Sequence, residues 1–220
     1  MDFNINETET SYGETQISPI EDLMREHGVL KRILLIYTDI ISRLRGQKFY
    51  DPFLVYYTTL NTASITKKFI EEYHQILEEK YIFSMFQQNR QYFQLVRTLL
   101  KQHTAARCLT ATILQLLSTQ YVYNVTQHIR LAYLLSLYIR MYEPHSARED
   151  TVLFPAFHNM VSEGTFKELG ETFEKIEEQK FGENGFQSIV QQIVPIEEAL
   201  GIYNLGQFTP NSFCLHNSHK

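Results

Sequence analysis

Apolar residues recur at alternating steps of three and four along most of the chain. The first such stripe is Ile20, Leu23, His27, Leu30, Leu34, Tyr37, Ile41 and Leu44, with one histidine on an otherwise apolar seam. This spacing is the packed face of a bundle helix. Ser18 is placed to cap it, Pro19 fills its first position, Glu21 and Asp22 favour its positive end, and Gly46 ends it after about residue 45. A second helix is predicted over about 53–87, with the stripe Ile70, His74, Leu77, Tyr81 and Met85. A third covers about 91–117, with Leu95, Leu99, His103, Ala106, Thr110, Ile113 and Leu117. A fourth begins after Tyr121 and runs to about 160, with Tyr138, Tyr142, His145, Glu149, Val152 and Ala156. Pro144 lies inside this last pattern and predicts a kink or a division just before His145.

Short links between long helices imply antiparallel neighbours, so the fold class expected is all-α: an up-down-up-down four-helix bundle. Two shorter helices follow, over about 165–180 and 186–200, separated by Gly182 and Gly185. The first carries the narrow apolar face Phe166, Leu169, Phe173 and Ile176, which suits packing on the bundle rather than an independent domain. The expected organisation is a polar arm over 1–18, the bundle over 19–160, a helical extension over 161–205 and an irregular tail over 206–220. His74 and His103 stand about equally far from the turn between their helices, which puts them at one height. His103 and His145 are less balanced, by roughly 14 Å along the helix axis. A longer loop, a later start to the fourth helix or the Pro144 kink would absorb that difference.

Composition narrows the function classes. The chain has 220 residues, 44% of them hydrophobic, and a formal net charge of -5. One domain with a substantial core fits this length, and the mild acidity argues against a nucleic-acid surface. No apolar run reaches the length of a membrane span, and the first residues lack the pattern of a secretory signal. Two cysteines far apart, Cys108 and Cys214, do not form a disulfide framework, so a reducing cytoplasm is expected. The glycosylation patterns at Asn6 and Asn124 are discounted on the same ground. Cys108 is expected to be a small core residue.

Four histidines on four apolar seams, His27, His74, His103 and His145, are costly unless something pairs with them. Two are followed four residues later by a glutamate, in His74–Glu78 and His145–Glu149. Residues four apart share a helix face, so each pair reaches one point. Four imidazoles and two carboxylates suit metals, non-haem iron in particular, and bridging carboxylates commonly hold two of them. Stripe geometry selects Glu149 over Asp150, which falls about 100° away. Glu71, three before His74, is either a further ligand or an acceptor for an imidazole N–H. His128 is too far along its helix to join the set. His158, His216 and His219 read as surface or tail residues, and Glu174, Glu177 and Glu178 as a solvated face.

At these residues the chain resembles the hemerythrin-like, HHE cation-binding family, over about Ile20 to Pro155. The likeness rests on Glu26-His27, the run from His74 to Glu79, Lys101-Gln102-His103, and the run from Pro144 to Pro155. The tracts Phe181 to Phe186 and Gln207 to Pro210 are similar to a C-terminal extension of one bacterial branch. The resemblance implies a four-helix bundle holding two non-haem iron ions with an oxo or hydroxo bridge. It implies His27 and His74 on one iron, His103 and His145 on the other, and Glu78 and Glu149 bridging. Oxygen-carrying members use a fifth histidine on the third helix, where this chain has Arg107, and Asp150 holds the place of their bridging aspartate. The pattern is closer to carboxylate-rich members and to the iron-sensing F-box branch, which points away from reversible oxygen carriage. Arg107 reads as a surface cation or as a group steering an anionic peroxide.

The function expected is binding or reduction of a small oxidant: dioxygen, peroxide or nitric oxide. The alternatives are an iron or oxygen sensor or store without turnover, and an interaction bundle with structural zinc. No nucleic-acid or membrane partner is expected, and the chain is expected to be a monomer or homodimer.

Overall fold

The computed structural model describes residues 17–86, 90–118 and 125–210. The expected arm before Ile17, Cys214, His216, His219 and the onset of a fourth helix near Tyr121 lie outside the described residues. Within them the chain is all-helical, with six helices. α1 is Pro19–Leu44. α2 starts as Pro52–Ile65 and continues through Thr66–His74, Gln75–Leu77, Glu78–Ile82 and Phe83–Phe86 with right-handed helical dihedrals at the junctions. α3 is Phe93–Ser118, and α4 starts as Val125–Arg148 and continues through Glu149–Leu153 and Phe154–His158. α5 is Glu163–Phe181 and α6 is Gly185–Leu200, followed by a single 3₁₀ turn, Leu205–Phe208. Among the described residues no helix is long and apolar enough to cross a membrane.

The start of α1 is fixed by a reciprocal cap. Ser18 Oγ accepts the Glu21 N–H at 3.2 Å, and Glu21 Oε2 accepts the Ser18 N–H at 3.0 Å. α1 packs on α2 and α4, and α3 packs on the same two helices, around one shared core. Contacts between α1 and α2 run in opposite chain senses, Glu26 meeting His74 and Tyr37 meeting Thr66. α6 lies on α1 and α2, held by a two-point pair from Arg32 to Glu197 at 2.9 and 2.5 Å and by Arg43 Nη2 donating to the Leu200 carbonyl at 2.7 Å. α5 crosses the start of α1 at Gly170, where a Cβ would stand 3.3 Å from the Ile17 carbonyl oxygen.

Two helices depart from plain α geometry at the residues of interest. Glu78–Ile82 and Glu149–Leu153 are π-helical turns, as is Thr66–His74. A turn closed by i→i+5 bonds takes one more residue than an α turn. The core face therefore advances by one position beyond each glutamate. In α4, Leu153 and Phe157 are buried where the regular stripe pointed to Val152 and Ala156. In α2, Ile82, Phe83 and Phe86 are buried while Met85 is exposed. Pro144 does not divide α4. It sits on the solvent side, where water can solvate the carbonyl that loses its donor. Cys108 is exposed rather than in the core, being well off the face that carries His103.

Candidate metal centre

The seam positions of α1 to α4 bring the six sequence-selected side chains into one buried cluster. His27, His74, Glu78, His103, His145 and Glu149 are each at most 3% exposed. They fall into two groups, His27–His74–Glu78 and His103–His145–Glu149, and within each group donor atoms lie within 4.8 Å of one another. The imidazoles pair in the same way, with ring centroids 4.8 Å apart for His27 and His74 and 5.0 Å for His103 and His145. The carboxylates cross between groups. Glu149 Oε1 is 3.1 Å from His145 Nε2, and its Oε2 is 3.4 Å from His27 Nε2. Glu78 Oε2 is 3.4 Å from both His74 Nε2 and His103 Nε2, and its Oε1 is 3.9 Å from His27 Nε2.

Behind the imidazoles stands a closed ring of acceptors. Glu26 of α1 accepts from His74 Nδ1 at 2.5 Å, and Glu79 of α2 from His103 Nδ1 at 2.9 Å. Gln102 of α3 accepts from His145 Nδ1 at 2.8 Å, and Asp150 of α4 from His27 Nδ1 at 2.6 Å. Each helix thus orients the histidine of the next, and the last returns to the first. With Nδ1–H donated outward, each Nε2 faces inward, and in the neutral imidazole its lone pair is free for a metal. Each acceptor is a sequence neighbour of a cluster residue: Glu26-His27, Glu78-Glu79, Gln102-His103 and Glu149-Asp150. A polar residue beside each seam ligand was the available signal, and seam reasoning alone passes over it.

Asp150 therefore stands behind His27 and not among the converging groups. Glu71 is buried but accepts from Thr110 Oγ1 at 2.5 Å rather than from an imidazole. Arg107 is neither a free surface cation nor directed at the centre. It donates to Glu79 Oε1 at 2.6 Å, the same oxygen that accepts from His103. His128 pairs with Tyr50 Oη at 2.9 Å, and exposed His158 packs edge-on to Phe166. Glu177 is half-buried, unlike its exposed neighbours Glu174 and Glu178.

The electrostatics of this cluster call for cations. All four carboxylate oxygens of Glu78 and Glu149, and His27 Nε2, are buried without a hydrogen-bond partner. Leaving one such group unpaired costs about 1–3 kcal/mol, and more when it is charged. Burial pushes the Glu78 carboxyl well above the usual carboxylate range, and Glu149 adds to it. Burial acts on Glu149 too, but His145 and His27 outweigh it and hold that carboxyl below its ordinary value. His27 is disfavoured as a cation by burial, yet Asp150 and Glu149 raise it to about 9. Burial lowers His74 and takes His103 down to about 4, so both are neutral donors of a lone pair near pH 7. Two imidazoles and a carboxylate per group, at full burial, fit divalent transition metals.

A pH response of the metal-free chain follows. Burial also raises Glu26 to about 8. Above pH 6.5 the folded chain retains protons on Glu26 and His27 that the unfolded chain has released. Stability then falls as pH rises towards 9; His74 and His103, whose lowered folded values act in the opposite sense, offset this only near pH 6.5, where the unfolded imidazoles still carry part of their protons. Thermal unfolding of chelator-treated protein at pH 6.5 and 9 is expected to show a midpoint several degrees lower at the higher pH. A flat or rising midpoint contradicts this assignment.

Comparison with known proteins agrees with this geometry. The model of the hemerythrin HHE cation binding domain matches residues 18–157. Uncharacterized proteins of Mycobacterium tuberculosis and Mycobacterium bovis are 44% identical over 199 residues, which covers 90% of this chain and 76% of theirs. No solved structure is significantly similar.

Proposed function

Because the chain belongs to the hemerythrin HHE cation-binding family, we propose that its cluster holds two non-haem iron ions and that the protein binds or reduces a small oxidant. The observation that carries this reading is the ring of four outward Nδ1–H bonds around six converging, buried metal-type groups. On this reading, His27 and His74 serve one iron and His103 and His145 the other. Glu78 and Glu149 span both, in an up-down-up-down arrangement of α1 to α4. The order of the ring, each helix serving the next, supports that arrangement. Such a pair of irons, when bound, supplies electrons and open coordination positions to an incoming oxidant.

The chain's own residues set the limits. Burial of all six groups excludes a bulky substrate and favours dioxygen, peroxide or nitric oxide. Phe154 stacks on His27 at 5.7 Å and Phe83 on His103 at 5.3 Å, closing the centre with apolar rings that keep water out. Glu79, tied to Arg107, and Asp150 hold their imidazoles in a single tautomer through any change of charge at the centre.

The test is anaerobic loading with ferrous iron followed by stopped-flow mixing with hydrogen peroxide, dioxygen or nitric oxide. A rapid visible-absorption change with at least one of them, lost in His103→Ala, is expected. No change with any of the three overturns the oxidant reading. One contact favours a second reading, a sensor. Tyr73, next to His74, packs edge-on against Phe181 of α5 at 5.2 Å, so occupancy of the centre has a direct route to the outer helices. A sensor binds stoichiometrically, without turnover, and changes the protease sensitivity of α5 and α6.

A further inference from the structure

A second group of oxygen donors lies outside the centre, where α1 meets α5. Asp22, Glu26 and Glu177 bring carboxylate oxygens within 4.8 Å of one another, the first two of them buried. Carboxylates gathered at that depth are ionised together only beside a counter-charge. Arg25 is the cation at hand, but it reaches only Asp22, at 3.5 Å, and its guanidinium lies over the Phe186 ring, 4.2 Å from the centroid.

Two further observations point to a ligand. Tyr73 is 1% exposed, and its hydroxyl makes no well-aligned hydrogen bond: it lies beside Glu26, with the carboxylates of Asp22 and Glu177 also bearing on it. Glu26 Oε1 is likewise buried and unpartnered, while Oε2 is engaged by His74. Glu177 is held in place from the opposite side. Its Oε1 accepts the Phe186 N–H at 2.8 Å, and a Cβ at Gly185 would come within 2.8 Å of its Cγ. Asp22 and Glu177 also line a cavity of about 430 Å³ open to solvent, whose rim carries Glu174, Glu178 and Glu183. That rim is negative and draws cations inward.

We propose that Asp22, Glu26 and Glu177, with the Tyr73 hydroxyl, form a separate site for a hard divalent cation such as Mn²⁺, Mg²⁺ or Ca²⁺. All-oxygen donor sets of this kind select such ions over the softer metals that imidazole favours. The cation would stand one carboxylate away from the centre, because Glu26 shares its other oxygen with His74. The site thereby connects the solvent cavity to the orientation of a metal-binding histidine. It rests on a different donor set from the candidate iron centre and stands or falls without it.

Terbium luminescence tests it on the full-length, metal-free chain, with Tyr73 as the adjacent sensitiser. Saturable green emission excited through tyrosine, displaced by Mn²⁺ or Ca²⁺, is expected. Asp22→Asn and Glu177→Gln each remove one charged donor and should weaken terbium binding by about tenfold or more. Both amides relieve like-charge repulsion, and the amide carbonyl introduced by Glu177→Gln can still accept the Phe186 N–H, so neither change should unfold the chain. Glu149→Gln in the centre should leave the signal in place, which separates this site from the other. No saturable emission, equal binding in both outer variants, or loss of emission in Glu149→Gln instead overturns the proposal.

Discussion

Glu149→Gln is expected to weaken metal binding more than a hundredfold, whereas Asp150→Asn weakens it by about ten- to a hundredfold. The two residues are adjacent and both acidic, but their side chains do different work. Glu149 offers one oxygen to each histidine group, at 3.1 and 3.4 Å, with no other partner. On the two-iron reading, its loss removes a donor from both ions at once. Asp150 touches neither group's centre and acts by accepting the His27 Nδ1–H at 2.6 Å. Its amide replacement keeps a carbonyl acceptor, so it weakens the orientation of His27 without removing a ligand. Competition against a chromogenic chelator measures both affinities. If Asp150→Asn proves as damaging as Glu149→Gln, Asp150 is a ligand and the two side chains do not divide the work in this way.

Removal of metal is expected to lower the unfolding midpoint by on the order of 10 °C. A ligand present at a thousand times its dissociation constant stabilises the folded chain by about 4 kcal/mol. For a chain of this size each kcal/mol moves the midpoint by about 2–4 °C. The physical source is the four carboxylate oxygens of Glu78 and Glu149 and His27 Nε2, which are buried without a hydrogen-bond partner and which a bound ion would satisfy. Differential scanning calorimetry before and after chelation, at one pH, reads the shift. A chelated protein that melts at the same temperature would mean that the core satisfies these groups without a cation.

The regular helices were legible to within about two residues at their ends. On α1 and α3 the three-four stripe puts His27 and His103 on the buried face, and both are buried there. On α2 and α4 the stripe holds only as far as Glu78 and Glu149. Beyond them the extra residue of each π turn rotates the core face, and Leu153 and Phe157 take the places assigned to Val152 and Ala156. Nothing in a three-four count signals an i→i+5 turn. The departure falls at the two glutamates, where π turns inside long helices often accompany function. The mismatch in height that loop counting predicts between His103 and His145 is not seen, since their Nε2 atoms lie 3.2 Å apart. The described part of α4 begins at Val125 and runs unbroken through Pro144, so a division there does not supply the adjustment.

The candidate site was legible in its inner layer and not in its outer one. His27, His74, Glu78, His103, His145 and Glu149 stand out because polar residues interrupt apolar seams. Glu26, Glu79 and Gln102 sit one position off the seam, where polar residues are ordinary, and only the partner helix reveals what they face. Arg107 shows the same limit: its place in the sequence suggested a missing histidine, while its contact is with Glu79. By sequence Glu177 belongs to a solvated acidic face, but the fold turns it inward to Asp22 and Glu26.

On the proposed reading this bundle holds two iron ions between two His–Glu groups. Metal analysis of protein expressed in iron-replete medium, purified anaerobically and paired with an accurate protein concentration, tests it most directly. The account predicts two irons per chain, falling to less than one in Glu149→Gln. One metal per chain, zinc in place of iron, or a ratio unchanged by Glu149→Gln would contradict it.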